Sequence, residues 1–229
     1  MSDLTPGLNL AEIDPEGALN ESIASGVSRS GFLRGLLALT AGAATVVAAD
    51  QAFGAISRTG DSAILNPLLI IECMQAEFYR RAADSGQLPA NYARLANEIA
   101  AIEAAHVAGL KNALGGAAND DPYLNFRGTT ENPMRFIRTA VALEDLSTST
   151  LAGVMDDFES EDNLTTVAAI YTAEARHSAG VRLAAGEHPA PSPVQKWESL
   201  PKVRKLLNET GFLTPKPTTV ARQSPAFTG

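Results

Sequence analysis

The sequence predicts an all-α protein: an antiparallel four-helix bundle with a long crossover between its second and third helices and an extension at each end of the chain. Between residues 62 and 186, apolar residues recur in four stretches with the spacing of one helix face. Short turns join the stretches within each pair, whereas a long Gly- and Asn-rich loop joins the two pairs. Hydrophobic residues make up 45% of the chain and charged residues 19%, as in globular proteins.

Two segments precede the predicted bundle. Residues 1–27 contain acidic side chains, no basic ones and frequent Gly, Pro and Asn, which predicts an acidic flexible arm. Residues 28–56 combine arginines, an uncharged stretch at 35–49 and small residues, in the order of an export signal. This segment resembles a twin-arginine signal, although Ser30 stands where the second arginine belongs. The alternative is an extra apolar helix packed on the bundle or on a neighbouring subunit.

The signal interpretation predicts a periplasmic or extracellular protein, whereas an uncleaved segment allows a cytoplasmic one. The uncharged stretch is shorter than the about twenty apolar residues of a membrane-spanning helix, which leaves membrane contact open. The formal charge of −8 and the pI near 4.9 argue against nucleic-acid binding, which requires clustered basic surface.

The first predicted hairpin joins a helix over residues 62–83 to a helix over residues 90–114, through a turn that contains Gly86 and Pro89. Residues 115–132 form the crossover. An extended chain covers about 3.3 Å per residue and a helix only about 1.5 Å, so this loop can return along the whole bundle.

The third helix is predicted over residues 133–158, with Asn132 as its N-cap and Pro133 in its first turn. An acidic turn leads to the fourth helix, over residues 164–185, which ends before Gly186. Each pair of consecutive helices therefore forms a hairpin.

The tail, residues 187–229, is rich in proline and contains one predicted short helix within residues 197–212. Four apolar residues of this helix and its flanks are expected to dock on the bundle or on a partner: Trp197, Leu206, Leu207 and Phe212. The tail is basic where the N-terminal arm is acidic, so head-to-tail contacts between the arms would produce a homo-oligomer.

The residues that could carry chemistry occur in two similar halves. In each half, a lone glutamate precedes a Glu-x-x-His motif, by 31 positions in the first half and by 30 in the second. On a helix, side chains three positions apart project from the same face, so each motif presents a carboxylate beside an imidazole. The six residues are Glu72, Glu103, His106, Glu144, Glu174 and His177.

Four carboxylates and two imidazoles inside a bundle lose their hydration, which is costly without a counter-charge. The hairpin turns lie midway between the paired residues of each half, so the six groups are expected at one depth of the bundle. Two divalent or trivalent cations would offset the cost of burial. The sequence therefore predicts a two-metal site in the bundle.

One Glu from each of two helices and a Glu-x-x-His from each of the other two form the ligand set of di-iron and di-manganese bundle proteins. On these residues the chain resembles ferritin-like proteins, in particular the exported bacterial group related to plant desiccation-associated proteins. Residues 71–79, Ile-Glu-Cys-Met-Gln-Ala-Glu-Phe-Tyr, are similar to the first helix of that group, and residues 101–106, Ala-Ile-Glu-Ala-Ala-His, to its second. The resemblance covers residues 62–186.

The resemblance implies a site for two iron ions, with manganese as the alternative, and a ferroxidase- or peroxidase-like reaction with dioxygen or peroxide. It implies two bridging glutamates, two terminal imidazoles and two glutamates that cap or bridge from the opposite helices. The bridging glutamates would be Glu103 and Glu174, and the terminal imidazoles His106 and His177. The two capping or bridging glutamates would be Glu72 and Glu144. Gln75 stands where relatives often carry another acid.

Two other functions stay open. A non-catalytic protein, stress-related or associated with the cell envelope, would use metals to staple the bundle. An assembly subunit would engage neighbouring chains through its arms. The single cysteine, Cys73, excludes an intramolecular disulfide and a rubredoxin-type iron site. Tyr79 and Tyr171 each fit either a hydrogen bond to a ligand or a position in the core.

Overall fold

The computed structural model of the protein describes residues 60–216. It confirms the predicted all-α bundle, whereas the predictions for residues 1–27 and 28–56 lie outside the described residues. The helices are α1 (Ser62–Asp84), α2 (Ala90–Leu114), α3 (Pro133–Val154), α4 (Glu161–Ala184) and α5 (Leu200–Thr210). Single 3₁₀ turns occur at Gly115–Ala117 and Met155–Asp157, and the two-residue strands β1 (Tyr123–Leu124) and β2 (Leu213–Thr214) pair antiparallel.

The two hairpins, α1 with α2 and α3 with α4, pack side by side, with α1 on α3 and α2 on α4. At one end of the bundle, the Asp61 carboxylate accepts hydrogen bonds from the backbone amides of Glu159 and Ser160, just before α4 begins. At the other end, Phe136 near the start of α3 packs on Phe78 near the end of α1. We name these the Asp61 end and the Phe136 end.

The crossover travels the full length of the bundle, because α2 ends at the Asp61 end and α3 begins at the Phe136 end. The Asn66 side chain on α1 fixes its start: Nδ2 donates to the Ala117 carbonyl at 3.1 Å, and Oδ1 accepts from the Asn119 amide at 2.7 Å. At its far end, Phe126 packs on Phe78 with ring centroids 5.4 Å apart.

Asn66→Ala is expected to lower the free energy of unfolding by about 1–3 kcal/mol, because it removes two hydrogen bonds between α1 and half-buried backbone groups of the crossover. Asn66 is 2% exposed, so water does not replace these bonds readily. The matched control is Asn97→Ala on the exposed face of α2, for which we expect a change within about 0.5 kcal/mol. Urea unfolding measures both, and equal losses in the two variants would contradict the anchoring role.

The fourth helix begins at Glu161, three residues before the predicted start at Leu164. The cap explains the difference, because Ser160 Oγ accepts a hydrogen bond from the Asn163 amide at 3.3 Å. The acidic side chains of Glu161 and Asp162 in the first turn interact favourably with the positive end of the helix dipole. The acid-rich stretch interpreted as a turn is therefore partly helix.

The third helix also differs from its predicted bounds. It begins at Pro133 with Asn132 as its cap, where Asn132 Oδ1 accepts from the Arg135 amide at 3.0 Å. It ends at Val154 and not at Phe158, because the chain tightens into the following 3₁₀ turn. Within residues 60–216, no helix combines the length and hydropathy needed to cross a membrane.

The tail crosses α3 at close range before it forms α5. The Glu198 amide donates to the Ser149 carbonyl at 2.9 Å. A side chain at Gly153 would clash with the backbone of Glu198, so glycine is what allows the two segments to meet here.

The tail then joins the core at the Phe136 end. Leu207 and Phe212 are buried, and the Phe212 ring packs edge-on against Phe126 at 5.3 Å. Trp197 does not dock on the bundle and is 67% exposed, because the chain meets α3 only from the next residue onward. Docking of Trp197 on a partner stays a prediction. The pairing of β1 with β2 ties the tail to the crossover.

The apolar core consists of two clusters. The cluster toward the Phe136 end includes Met74, Phe78, Ile99, Phe136 and Val181. The cluster toward the Asp61 end includes Leu65, Leu110, Leu151, Val167 and Ile170. On α2 and on α4, a stretch without members of either cluster separates the two, and the predicted polar motifs occupy it.

Candidate metal centre

The six residues predicted from the sequence converge between the two apolar clusters. One glutamate comes from α1 and one from α3, while α2 and α4 each contribute a glutamate and a histidine. All four carboxylates are 0% exposed, and the two imidazoles are 9% and 8% exposed. We call this set the six-residue site: Glu72 on α1, Glu103 and His106 on α2, Glu144 on α3, and Glu174 and His177 on α4.

The imidazole of His106 faces three carboxylates through Nδ1. This nitrogen lies 3.2 Å from Glu72 Oε2, 3.3 Å from Glu103 Oε2 and 3.1 Å from Glu174 Oε1. The acids come from three different helices, so the ring connects α1, α2 and α4.

The imidazole of His177 occupies the corresponding position in the other half. Its Nδ1 lies 2.8 Å from Glu103 Oε1, 3.3 Å from Glu174 Oε1 and 3.8 Å from Glu144 Oε2. The two rings are 5.9 Å apart between centroids. The repeated sequence motif therefore produces a nearly two-fold arrangement of side chains.

The potential ligand atoms form two overlapping groups. Glu72 and His106 belong to one group and Glu144 and His177 to the other, whereas Glu103 and Glu174 belong to both. Within each group, four ligand atoms lie within 4.8 Å of one another. Each group could hold a metal ion.

Three neighbouring side chains orient the carboxylates by hydrogen bonds. Tyr79 Oη donates to Glu144 Oε1 at 2.5 Å, and Ser147 Oγ donates to Glu72 Oε1 at 3.3 Å. Gln75 Nε2 donates to Glu174 Oε2 at 3.2 Å. Three of the four carboxylates are thus each held by a neutral donor.

A run of hydroxyl residues in the middle of α3 is buried without disrupting the helix. Thr148 Oγ1 donates to the Glu144 carbonyl at 2.7 Å, and Thr150 Oγ1 donates to the Leu146 carbonyl at 2.6 Å. Such bonds to the preceding turn satisfy hydroxyl groups within a helix. Ser147 differs from these neighbours because its hydroxyl reaches across to Glu72.

Asp145, next to Glu144, faces away from the site and links α3 to α4. It accepts a hydrogen bond from Ser178 Oγ at 2.8 Å and forms an ion pair with Arg182. Both partners lie on α4, one and five positions after His177. These contacts fix the register of α3 against α4 at the level of the site.

Burial perturbs the protonation of the site in a consistent way. Burial and the nearby charge of Glu174 raise the pKa of Glu72 well above its usual range, and burial with the charges of Glu174 and Glu103 does the same to the pKa of Glu144. Burial would also raise the pKa of Glu174, but the imidazoles of His106 and His177 hold it well below its usual range. The like charges are therefore partly neutralised by protons.

The two histidines carry part of that compensating charge. Burial would lower the pKa of His106, but its carboxylate neighbours raise the pKa to about 12. Burial would also lower the pKa of His177, but the carboxylates of Glu103 and Glu174 raise this pKa to about 9. A cation that displaced these protons would leave neutral imidazoles and ionised acids, which are the forms that bind metals.

Some buried polar atoms of the site have no hydrogen-bond partner in the described part of the chain. These atoms show whether the residues fit a metal ion. Glu103 Oε1 and His177 Nδ1 lie 2.8 Å apart, yet neither atom has a hydrogen-bond partner among the described residues. Buried polar atoms are usually paired, and carboxylate with imidazole is a donor set that suits iron, manganese or zinc. Among the described residues, the site atoms without a hydrogen-bond partner are Glu103 Oε1, Glu144 Oε2, Glu174 Oε1 and His177 Nδ1. The residues therefore fit a bound metal ion.

Sequence reasoning brought the six residues to one site but missed part of their surroundings. For Tyr79, a hydrogen bond to a ligand and a core position were both open, and the structure shows both: the residue is buried and its hydroxyl donates to Glu144. Ser147 was missed, although a polar residue three positions after Glu144 on an apolar helix was a usable signal. Tyr171 packs against the apolar cluster at the Asp61 end.

A helical bundle with buried carboxylates and imidazoles at its centre defines a class of protein that can bind metal between its helices. A sequence model of the ferritin-like domain matches residues 60–187, more than half of the chain, so the protein belongs to the ferritin-like domain family. No curated protein matches the sequence.

Proposed function

We propose that the six-residue site binds two iron ions and that the loaded protein oxidises Fe(II) with dioxygen or peroxide. One observation supports this proposal above the others: Glu103 and Glu174 belong to both ligand groups, as two bridging carboxylates would. Glu72 and His106 would complete one metal position, and Glu144 and His177 the other. Manganese would suit the same donors.

Bound iron would supply the electrons that reduce dioxygen or peroxide. The protein's own residues provide the setting for that chemistry. Tyr79 keeps Glu144 in place and holds a proton at its hydroxyl, while Ser147 and Gln75 orient Glu72 and Glu174. The apolar clusters on either side exclude bulk water, which strengthens electrostatic interactions inside the site.

Anaerobic titration with Fe(II), followed by exposure to air, tests the proposal. We expect two Fe(II) ions to bind per chain and to oxidise faster than in buffer alone. His106→Ala and His177→Ala should each lose most of this activity, because each removes one terminal donor. His188→Ala is the matched control, since this third histidine is exposed and lies outside the site.

Two results would count against the enzyme interpretation. Binding of no more than trace iron would exclude the metal site itself. Stoichiometric binding with oxidation no faster than in buffer would exclude turnover while leaving the site intact.

The second candidate is a structural protein in which bound metal staples the bundle. The depth of the site favours it, because each of the six residues is at most 9% exposed and four helices meet there. This function requires metal-dependent stability without oxidation of Fe(II). The titration above distinguishes the two functions because it measures binding and oxidation separately.

Membership of the exported, desiccation-related group is also a proposal, based on residues 28–56 and on the similarity of residues 71–79 and 101–106 to that group. Export predicts a mature chain without the signal segment in the periplasm or outside the cell. The mass of the protein recovered from cell fractions measures this directly. Full-length protein confined to the cytoplasm would contradict export.

A further inference from the structure

The repeated motif extends one turn further than its metal-binding part. Gly109 follows His106 by three positions on α2, and Gly180 follows His177 by three positions on α4. Both halves therefore read Glu-x-x-His-x-x-Gly. Because residues three apart share a helix face, each glycine lies on the same side of its helix as the histidine.

Within residues 60–216, no contact gives either glycine a steric reason to be there. A Cβ at Gly109 or at Gly180 would meet no atom of the described residues within 4 Å. Neither residue is among those with positive φ, so the backbone conformation does not require glycine. Glycine inside a helix lowers stability relative to alanine, so each position carries a cost that the packing of residues 60–216 does not explain.

The glycines flank the side of the site that the described part of the chain covers least. The four carboxylates are 0% exposed, whereas the imidazoles of His106 and His177 retain 9% and 8%. Helical side chains lean toward the N-terminus of the helix, so a side chain at position 109 would lie back over His106. A side chain at position 180 would cover His177 in the same way.

We propose that Gly109 and Gly180 keep open an access port on the α2–α4 side of the bundle, through which divalent cations reach the six-residue site past the two imidazoles. This inference rests on the proposed metal site and adds its route of access. The antiparallel direction of α2 and α4 places the two glycines on opposite flanks of the histidine pair, so both helices shape the opening.

Kinetics of Co(II) binding to the full-length protein test the port. Gly109→Leu and Gly180→Leu should each slow the uptake of Co(II) and its release to excess chelator, with a combined effect in the double variant of about tenfold. The amount of Co(II) bound at equilibrium should stay unchanged, because a barrier on the route slows both directions equally. Stopped-flow absorbance measures uptake and release, and a titration measures the plateau.

Matched controls place leucine elsewhere on the same helices. Ala104 and Ala175 are exposed and lie two positions from His106 and His177, which puts them on the opposite side of each helix. Ala104→Leu and Ala175→Leu should exchange Co(II) at the wild-type rate. The Gly109→Ala and Gly180→Ala variants should slow exchange less than leucine and raise Tm by about 2–4 °C each.

The outcomes separate failure of the port from failure of the site. Wild-type rates in the leucine variants, with an unchanged plateau, would overturn the port and leave the metal site standing. If leucine lowers the plateau by distorting the ligands, the alanine variants decide: wild-type rates in their double variant overturn the port. A change of oligomeric state in place of a change of rate would assign the glycines to subunit packing. A wild-type protein that binds no Co(II) and no Fe(II) overturns the site and the port together.

Discussion

Anaerobic loading with Fe(II) is expected to raise the unfolding temperature by about 8–16 °C. A ligand present at a thousand times its Kd stabilises the folded state by about 4 kcal/mol, and about 2–4 °C accompany each kcal/mol in a chain of this size. The physical reason lies in the site, where four fully buried carboxylates meet and the metal would replace protons as their counter-charge. Calorimetry of metal-free and loaded protein measures the effect.

This prediction applies to both proposed functions, since each requires bound metal. His177→Ala should lose most of the increase, because it removes a terminal donor without adding charge. The same unfolding temperature with and without Fe(II) in the wild-type protein would show that the site does not bind this metal.

Replacement of Glu144 by glutamine is expected to have opposite effects on stability and on metal binding. In the metal-free protein, Glu144 is buried beside Glu174 and Glu103, and this environment raises its pKa well above the usual range. Glutamine removes the charge while its side-chain oxygen can still accept the hydrogen bond from Tyr79. The metal-free variant should therefore unfold at a higher temperature at neutral pH, yet bind metal more than about a hundredfold more weakly.

The sign of the pH dependence provides a further check on Glu144→Gln. A carboxyl group whose pKa is raised by folding holds its proton more tightly in the folded state than in the unfolded state. The stabilisation that this group contributes is fully present below its pKa in the unfolded state. It is lost as the pH rises through its pKa in the folded state. Stability of the metal-free wild type should thus fall more steeply with rising pH than that of the variant. Parallel pH curves for the two proteins would contradict this account.

In both predictions, the six-residue site lowers the stability of the metal-free protein, because its buried acids then have no metal ion as counter-charge. Buried acids are rare unless they are paired or bound to a cation, and the six-residue site places four together. The surrounding hydrogen bonds from Tyr79, Ser147 and Gln75 keep three of the acids oriented in the absence of metal. Such preorganisation limits the rearrangement that binding requires.

Much of the site was predictable because a helix converts spacing along the chain into position on a face. Glu103 and His106 share a face by being three positions apart, and the midpoint turns bring each half of the motif to one level. A hydrogen bond from Tyr79 to a ligand was one of two open alternatives. Its partner, Glu144, was not predictable, because the bond joins residues 65 positions apart in different hairpins. Spacing within one helix carries no information about which neighbouring helix a side chain meets.

The tail also shows what local sequence information does and does not predict. Its short helix was predicted from local composition, but the composition did not show which apolar residues dock on the bundle: Phe212 is buried there, whereas Trp197 is exposed. The crossing at Gly153 depends on how closely Glu198 approaches α3, and that is a property of two distant segments. Local propensity therefore predicted the element but not its contacts.

By itself, the sequence determined that the chain forms four apolar helices in two hairpins and that six side chains able to bind metal lie at one depth among them. Periodicity and loop length are local properties, so a single chain suffices to read them. Only the tertiary structure decided that Tyr79, Ser147 and Gln75 hold three of the carboxylates. It also decided that, among the described residues, the imidazoles are the least buried of the six groups. Those features depend on how helices distant in sequence pack against one another, and packing is fixed only when the whole core assembles.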